Sequence, residues 1–142
     1  IEMPRQLDSN SEYRSAADYF PHYPDTSHVG IMVVKAENCE KGKSDGKDFD
    51  SLLVGSLAAR FAEAAAEWAT EQISFGQHVV RAAIGYDMIP DHAVKRTAFD
   101  LTDAGRRLGV ELTESNAIKP STSICAILIG HEDARYFDIK KR

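Results

Sequence analysis

A stripe of apolar side chains over residues 53–68 constrains the fold more than any other feature of this sequence. Its members recur at steps of four and three residues, and they are Leu53, Leu57, Phe61, Ala64 and Trp68. Because an α-helix repeats every 3.6 residues, these positions share one face of a helix. Asp50 or Ser51 can cap its first turn. The stripe predicts a long amphipathic helix, which needs a sheet or another helix to pack against.

A second helix is predicted to follow Pro90. Asp91 can serve as its N-cap, since a carboxylate there accepts hydrogen bonds from first-turn amides. Apolar residues then share one face until Gly109, which can end the helix; they are Val94, Ala98, Leu101 and Leu108.

Three segments have the pattern of strands. Val29–Val34 is a short β-branched apolar run typical of a buried strand, and Ser123–Ile129 is typical of a central strand. Tyr136–Ile139 is the expected hairpin partner of the latter, across the turn at residues 131–134. Helices and strands segregate along the chain, which favours an α+β fold with a largely antiparallel sheet.

We expect the 142 residues to form one domain. Residues 1–26 are polar and turn-rich, which predicts an extended entry segment with at most a short helix over Ser11–Tyr19. Residues 27–142 then form the core. The charged, glycine-containing stretch Glu37–Asp48 is expected to be a loop.

Composition excludes several classes of function. A net charge of −5 argues against a nucleic-acid partner, and no apolar run approaches the roughly 20 residues that cross a bilayer. Two cysteines, Cys39 and Cys125, fit a reducing compartment, so a cytoplasmic location is expected. The five histidines show no metal-ligand spacing, and no serine-hydrolase elbow, dinucleotide fingerprint or P-loop is present. No metal ligand or catalytic residue is predicted.

The stretch RAAIGYDMIPDH, residues 81–92, is the candidate binding segment. The guanidinium of Arg81 matches a carboxylate or phosphate in bidentate fashion, and the small residues after it leave backbone groups reachable. Gly85 permits close approach of a ligand, and Tyr86 offers a flat amphipathic face. An arginine paired with a surface acid, beside a turn glycine, is the simpler explanation of these residues taken alone. Surface solvation likewise explains Glu63.

The second half of the chain resembles the activation domain of cobalamin-dependent methionine synthase. Four pieces carry the resemblance, in the family's order: AARFAEAAAEW (58–68), RAAIGYDMIPDH with AVK (81–95), LTESNAIKPSTS (112–123) and GHEDARYF (130–137). The segments DYF (18–20) and HVGIMVVKAE (28–37) match more loosely.

The resemblance implies that the chain binds S-adenosylmethionine and supports reductive methylation of cob(II)alamin to methylcobalamin, as part of a methionine synthase and not as an enzyme active alone. Cobalamin would be held by another domain or protein, because no D-x-H-x-x-G corrinoid motif is present, and a flavodoxin-type donor would supply the electron. The resemblance assigns Arg81 to the methionyl carboxylate, Ala83, Leu128 and Ile129 to backbone contacts with the ligand, Gly85 and Tyr86 to the wall that meets the corrin, and Glu63 to the side facing the corrinoid module.

One piece of the family pattern was not found. The family carries an early aspartate in an Asp-Trp-x-Pro-Phe-Phe segment that contacts S-adenosylmethionine, and this chain has no such sequence. An alternative therefore stays open, in which the chain is a non-catalytic domain that docks to a corrinoid protein and has lost the cofactor. An unrelated α+β binding domain is the third hypothesis.

Overall fold

The fold, described here from a computed structural model, consists of a three-stranded antiparallel sheet with helices on both faces. The description covers residues 1–7, 12–22, 24–25, 27–36, 48–73 and 76–139. In chain order the elements are β1 (Val29–Val34), α1 (Asp48–Gln72), β2 (Val79–Ala83), α2 (Val94–Thr102), α3 (Ala104–Leu108), β3 (Glu111–Leu112), β4 (Ile118–Lys119) and β5 (Ile124–Gly130). The α+β prediction is confirmed.

Strand β5 lies at the centre of the sheet, in the order β1–β5–β2. Both neighbours run antiparallel to it, with Ile31 opposite Ile127 and Arg81 opposite Leu128. The central strand was predicted correctly, but the hairpin with Tyr136–Ile139 is wrong. Both edges of β5 are already occupied by β1 and β2, and residues 136–139 contain no strand. A separate two-stranded sheet joins β3 to β4.

The first face of the sheet carries the larger core. Alternate residues of β2 and β5 point into it, among them Val80, Ala82 and Ile127, and α2 contributes Val94 and Phe99. The entry segment also belongs to this core, because Ala16 and Tyr19 are buried in it. The helix expected over Ser11–Tyr19 is a single 3-10 turn, Ala16–Tyr19, closed by a capping box between Ser15 and Asp18.

Helix α1 lies on the opposite face, as a long helix of 25 residues. Its buried side chains are small: Ala66 is fully buried and packs with Met32 and Leu128. The predicted apolar stripe faces away from the sheet, since Leu53, Leu57, Phe61 and Trp68 are each more than half exposed. The helix was therefore predicted correctly, whereas its packing was not evident from the stripe.

The remaining boundaries differ in detail. Helix α1 begins at Asp48, before the predicted caps Asp50 and Ser51. The predicted second helix is split at Asp103, which adopts a left-handed conformation that aspartate tolerates better than most residues. Asp91 accepts from the Ala93 N–H at 2.8 Å in the turn before α2, so it does not cap the helix itself. The loop expected at Glu37–Asp48 lies outside the described residues, apart from Asp48. None of the helices in the described ranges could span a membrane.

Candidate functional site

A cavity of about 390 Å³ opens at the end of the sheet where β2 ends and β5 begins. Its walls come from α1, from the segment that follows β2, from α2 and from the start of β5. The lining includes four of the predicted residues, Glu63, Ala83, Gly85 and Tyr86. Small-molecule sites in proteins have volumes of roughly 300–1,000 Å³, so the cavity is large enough for a nucleoside-sized ligand.

Arg81 joins this wall through an ion pair. Its Nη2 atom lies 2.9 Å from Oε2 of Glu63, and this ion pair connects β2 to α1 on the face of the sheet that α1 covers. The Arg81 side chain is 22% exposed and that of Glu63 is 54% exposed, so both remain open to solvent or ligand. The simpler explanation of Arg81, an arginine paired with an acid, is thus part of the geometry. The guanidinium has five N–H donors, so donors remain for a ligand after the bond to Glu63.

The segment after β2 is held by two buried side chains. Met88 and Ile89 are fully buried in the main core. The Gly85 N–H donates to the Ile89 carbonyl at 2.7 Å, and the Ile89 N–H donates to the Tyr86 carbonyl at 3.0 Å. This tight loop leaves Tyr86 projecting outward, 66% exposed. The apolar residues of RAAIGYDMIPDH therefore anchor the segment, and its glycine and tyrosine face the cavity.

Gly85 is required by a neighbouring side chain. Its φ of +96° disfavours any residue with a side chain, and an added Cβ would lie 2.5 Å from Cε1 of His92. The imidazole of His92 occupies the space that a Cβ would fill. Packing against His92 therefore requires a glycine at this position, in addition to the predicted close approach of a ligand.

Lys95 and Cys125 also line the cavity, although neither was predicted as a site residue. Lys95 is only 6% exposed, and its Nζ lies 2.8 Å from Nδ1 of His92. Burial lowers the pKa of the Lys95 ammonium, and burial raises the pKa of the Cys125 thiol to about 11. The buried hydroxyl of Ser123 has no hydrogen-bond partner among the described residues. The cavity thus contains polar groups whose hydrogen-bonding capacity is incompletely used.

No sequence motif predicts that Lys95, Cys125 and Ser123 line a cavity, because their burial is a property of the folded chain. Lys95 falls inside the matching piece AVK, which is the only hint of it in the sequence.

Leu128 and Ile129 lie away from the cavity. Both are buried, at 1% and 0% exposure, and the strand that carries them is paired on both sides. Backbone contacts from these two residues to a ligand stay a prediction, and the occupied strand edges do not favour it.

Asp18, near the start of the chain, lies in a sequence that partly matches the family's Asp-Trp-x-Pro-Phe-Phe segment. Asp18-Tyr19-Phe20-Pro21 keeps the order acid, aromatic, any residue, proline, with tyrosine in place of tryptophan. The Arg5 guanidinium lowers the pKa of Asp18 through a hydrogen bond, with Nη2 2.5 Å from Oδ1. Asp18 does not line the cavity. Across the described ranges, no cluster of three or more histidine, cysteine or acidic residues could hold a metal ion.

Comparison with known proteins identifies the family. Residues 2–142 match the sequence model of the activation domain of vitamin B12-dependent methionine synthase. A solved structure, the MetH reactivation domain bound to AdoHcy, superposes with a TM-score of 0.83 at 23% sequence identity. The match covers 97% of this chain and 51% of that chain, so the present chain spans about half the length of the solved domain. On the family match over nearly its whole length, this chain belongs to the activation domains of vitamin B12-dependent methionine synthase.

Proposed function

We propose that the chain binds S-adenosylmethionine in the cavity at the end of β2 and presents its methyl group to a corrinoid. The observation that carries the proposal is that four of the seven predicted site residues line one cavity, and a fifth, Arg81, is bonded to one of the four. The relative whose structure contains AdoHcy, the demethylated form of this ligand, supports the same ligand class.

Arg81 is assigned to the carboxylate of the methionyl group. A guanidinium binds a carboxylate through two parallel hydrogen bonds, which fix the orientation as well as the position of the ligand. Because one Arg81 nitrogen already binds Glu63, the arginine is held in place before the ligand arrives. The remaining N–H groups of Arg81 would donate hydrogen bonds to the ligand carboxylate.

Glu63 and Tyr86 are assigned to the positive sulfonium. A carboxylate in the wall attracts a cation, and an exposed tyrosine ring can receive one over its face. Lys95, when protonated, carries a positive charge that would repel the sulfonium. Burial lowers the pKa of Lys95 and so reduces the free-energy cost of neutralising it.

The contribution of these residues to the reaction is mainly orientation. A corrinoid held by another domain or protein, with its cobalt reduced by one electron from a flavodoxin-type donor, would supply the nucleophile that accepts the methyl group, and S-adenosylhomocysteine would be the other product. Sulfonium is already a good leaving group, and no side chain needs to transfer a proton. Holding two reactants in line can contribute roughly 7–11 kcal/mol toward the barrier. The carboxylate grip of Arg81 supplies that alignment on the ligand side.

Calorimetric titration with S-adenosylmethionine tests the proposal. The unmodified chain should bind, and Arg81→Ala should weaken binding by at least about 30-fold, because it removes charge-assisted hydrogen bonds to a carboxylate. Arg135→Ala, a change at an exposed arginine that does not line the cavity, is the control and should bind normally. Equal affinity of Arg81→Ala and the unmodified chain would contradict the role of Arg81. No binding by the unmodified chain would favour the non-catalytic docking domain.

A second variant separates charge from shape. Glu63→Gln should weaken S-adenosylmethionine more than S-adenosylhomocysteine, because the latter has no sulfonium charge. Equal weakening of both ligands would assign Glu63 to positioning of Arg81 alone.

A further inference from the structure

Lys95 is a buried lysine that forms no ion pair with an acidic residue in the described part of the chain. It is 6% exposed, and none of the salt bridges between those residues includes it. Its ammonium lies 2.8 Å from Nδ1 of His92, which is not an acidic group. Lysine is almost never buried to this extent without an opposite charge, because removing an ammonium from water is costly. A negative group in contact with Lys95 would reduce that cost.

The walls of the cavity do not supply this negative charge. Cys125 interacts electrostatically with Lys95, but burial raises the pKa of its thiol to about 11, so the thiol is protonated at neutral pH. Glu63 is the one acid among the described residues of the lining, and its carboxylate binds Arg81 at 2.9 Å. Helix α2 begins at Val94, so the partial positive charge of its N-terminus lies beside the ammonium. The electrostatic environment of this part of the cavity is therefore positive.

His92 and Ser123 add hydrogen-bond donors to the same cavity. An ammonium can only donate, so Nδ1 of His92 accepts from Lys95 and the ring proton is on Nε2. Ser123 precedes Cys125 by two residues, and its buried hydroxyl has no partner within the described ranges. The ammonium itself has three N–H groups, of which His92 takes one. These side chains thus present several donors and a positive charge to the cavity.

We infer that Lys95, His92 and Ser123 form a subsite for a small oxyanion, which is a carboxylate or a phosphate group. Such a group is negative and accepts several hydrogen bonds at once, so it matches both the charge and the donors. A neutral hydroxyl or amide group would match the donors but would leave the ammonium without an opposite charge. An oxyanion in this subsite would also offset the repulsion between Lys95 and a sulfonium in the same cavity.

Two ligands carry the required chemistry. One is a separate small anion, and the other is S-adenosylmethionine, whose methionyl carboxylate would then lie at Lys95 and not at Arg81. The subsite itself does not rest on the function proposed above, because its charge and donors belong to the chain. Only the second ligand rests on that function.

Titration of the whole chain with inorganic phosphate, and separately with acetate, tests the subsite. The Cε1–H signal of His92 in the NMR spectrum reports binding next to Lys95. The unmodified chain should bind at least one of the two anions saturably at constant ionic strength. Lys95→Met should weaken that binding by at least about 10-fold, because it removes a charge-assisted hydrogen bond together with the opposite charge. Ser123→Ala should weaken it by a smaller factor, about threefold, since it removes one neutral donor.

Lys119→Met is the matched control. It makes the same change in net charge at an exposed lysine of β4 that does not line the cavity, and it should bind the anion as the unmodified chain does. Lys95→Met should fold, because an apolar side chain of similar length replaces a buried ammonium. Circular dichroism checks this, and Ser123→Ala still tests the subsite if Lys95→Met does not fold.

A further titration with S-adenosylmethionine, with and without saturating anion, identifies the source of the oxyanion. Competition between the two would place the methionyl carboxylate at Lys95. Unchanged affinity for S-adenosylmethionine would indicate a separate anion. If S-adenosylmethionine did not bind at all, the proposed function would fail while saturable, Lys95-dependent anion binding would still support the subsite.

Two results would overturn the inference. One is that neither phosphate nor acetate binds saturably to the unmodified chain. The other is that Lys95→Met and Lys119→Met bind the anion equally well, which would assign the binding to general surface charge. In either case Lys95 would be a structural residue whose ammonium is accommodated without an anion.

Discussion

The two faces of the β1–β5–β2 sheet are covered by helices whose buried side chains differ in size. On the face that α2 covers, β5 contributes Cys125, Ile127 and Ile129 to a core of large aliphatic and aromatic groups. On the α1 face the helix contributes Ala66, which packs with Met32 and Leu128. Gly30 lies so close to Leu128 that an added Cβ would be 2.9 Å from the Leu128 Cβ. One face is thick and continuous, whereas the other is thin.

Because of this difference, one face mainly contributes stability and the other mainly sets the geometry of the candidate ligand site. The thick face buries Met88 and Ile89 and so fixes the segment that presents Gly85 and Tyr86. The thin face lets α1 approach the sheet closely enough for Glu63 to reach Arg81 at 2.9 Å. Losses of volume should therefore be most costly on the first face, and gains of volume should disturb the site most on the second.

Ile127→Ala is expected to have the largest effect. Ile127 is 2% exposed at the centre of the thick face, and truncating a buried isoleucine costs about 2–5 kcal/mol of unfolding free energy, with the cavity left behind adding to the lost burial. Urea denaturation measures the change. Leu57→Ala, at a half-exposed position on α1, should cost far less. Similar costs for the two variants would refute the ranking of the faces.

Ala66→Leu is expected to have an intermediate effect on stability and a specific effect on the site. The added side chain has no space between α1 and the sheet, so it should cost about 1–3 kcal/mol by overpacking and move the helix outward. Ala64→Leu, on the exposed side of the same helix, is the matched control and should stay within about 0.5 kcal/mol of the unmodified chain. S-adenosylmethionine affinity should fall in Ala66→Leu and remain in Ala64→Leu. Unchanged affinity in both would show that the spacing of α1 does not set the Arg81–Glu63 geometry.

Sequence periodicity identified the elements better than their partners. β1 was predicted with its observed limits, because a run of β-branched residues is a local property. The helical repeat likewise predicted α1, although the helix extends beyond the stripe at both ends, from Asp48 to Gln72. The stripe of Leu53, Leu57, Phe61 and Trp68 shows where the large apolar residues are, but periodicity does not say what covers them. The alanine face that meets the sheet carries no comparable signal. Strand β2 was not predicted, since its residues were interpreted as part of a binding segment.

The wrong hairpin has a related cause. β5 pairs with β1 and β2, which are distant in sequence, and a nearby apolar stretch at 136–139 was the partner that local reasoning could offer. For the site, the family resemblance supplied Glu63 and the Arg81 segment, which the residues alone did not distinguish from a surface ion pair and a turn. Lys95 and Cys125 could not be predicted, because their altered pKa values arise from burial that only the folded chain creates.

The pH dependence of stability gives the smallest and most local test of the thick face. Burial raises the pKa of Cys125 from 9.0 to about 11, so the folded protein holds this proton after the unfolded chain has lost it. A raised folded-state pKa contributes stability that is complete below pH 9 and is lost as the pH rises toward 11. The loss should be about 1.4 kcal/mol near pH 10, one unit above the ordinary pKa. Lys95 opposes it, because its lowered pKa makes stability rise with pH up to 10.5.

Cys125→Ala removes the titrating thiol and makes this contribution measurable. Urea denaturation of the variant and of the unmodified chain between pH 8 and pH 10 should give a difference in unfolding free energy that changes by the amount lost to Cys125. Comparing the two proteins cancels the groups that do not interact with Cys125, including Tyr136, whose pKa burial also raises. The contribution of Lys95, whose charge interacts with the thiol, remains in the difference. If the difference stayed constant with pH, the Cys125 thiol would have to be in contact with water. The buried environment assigned to Cys125 on the thick face would then be wrong.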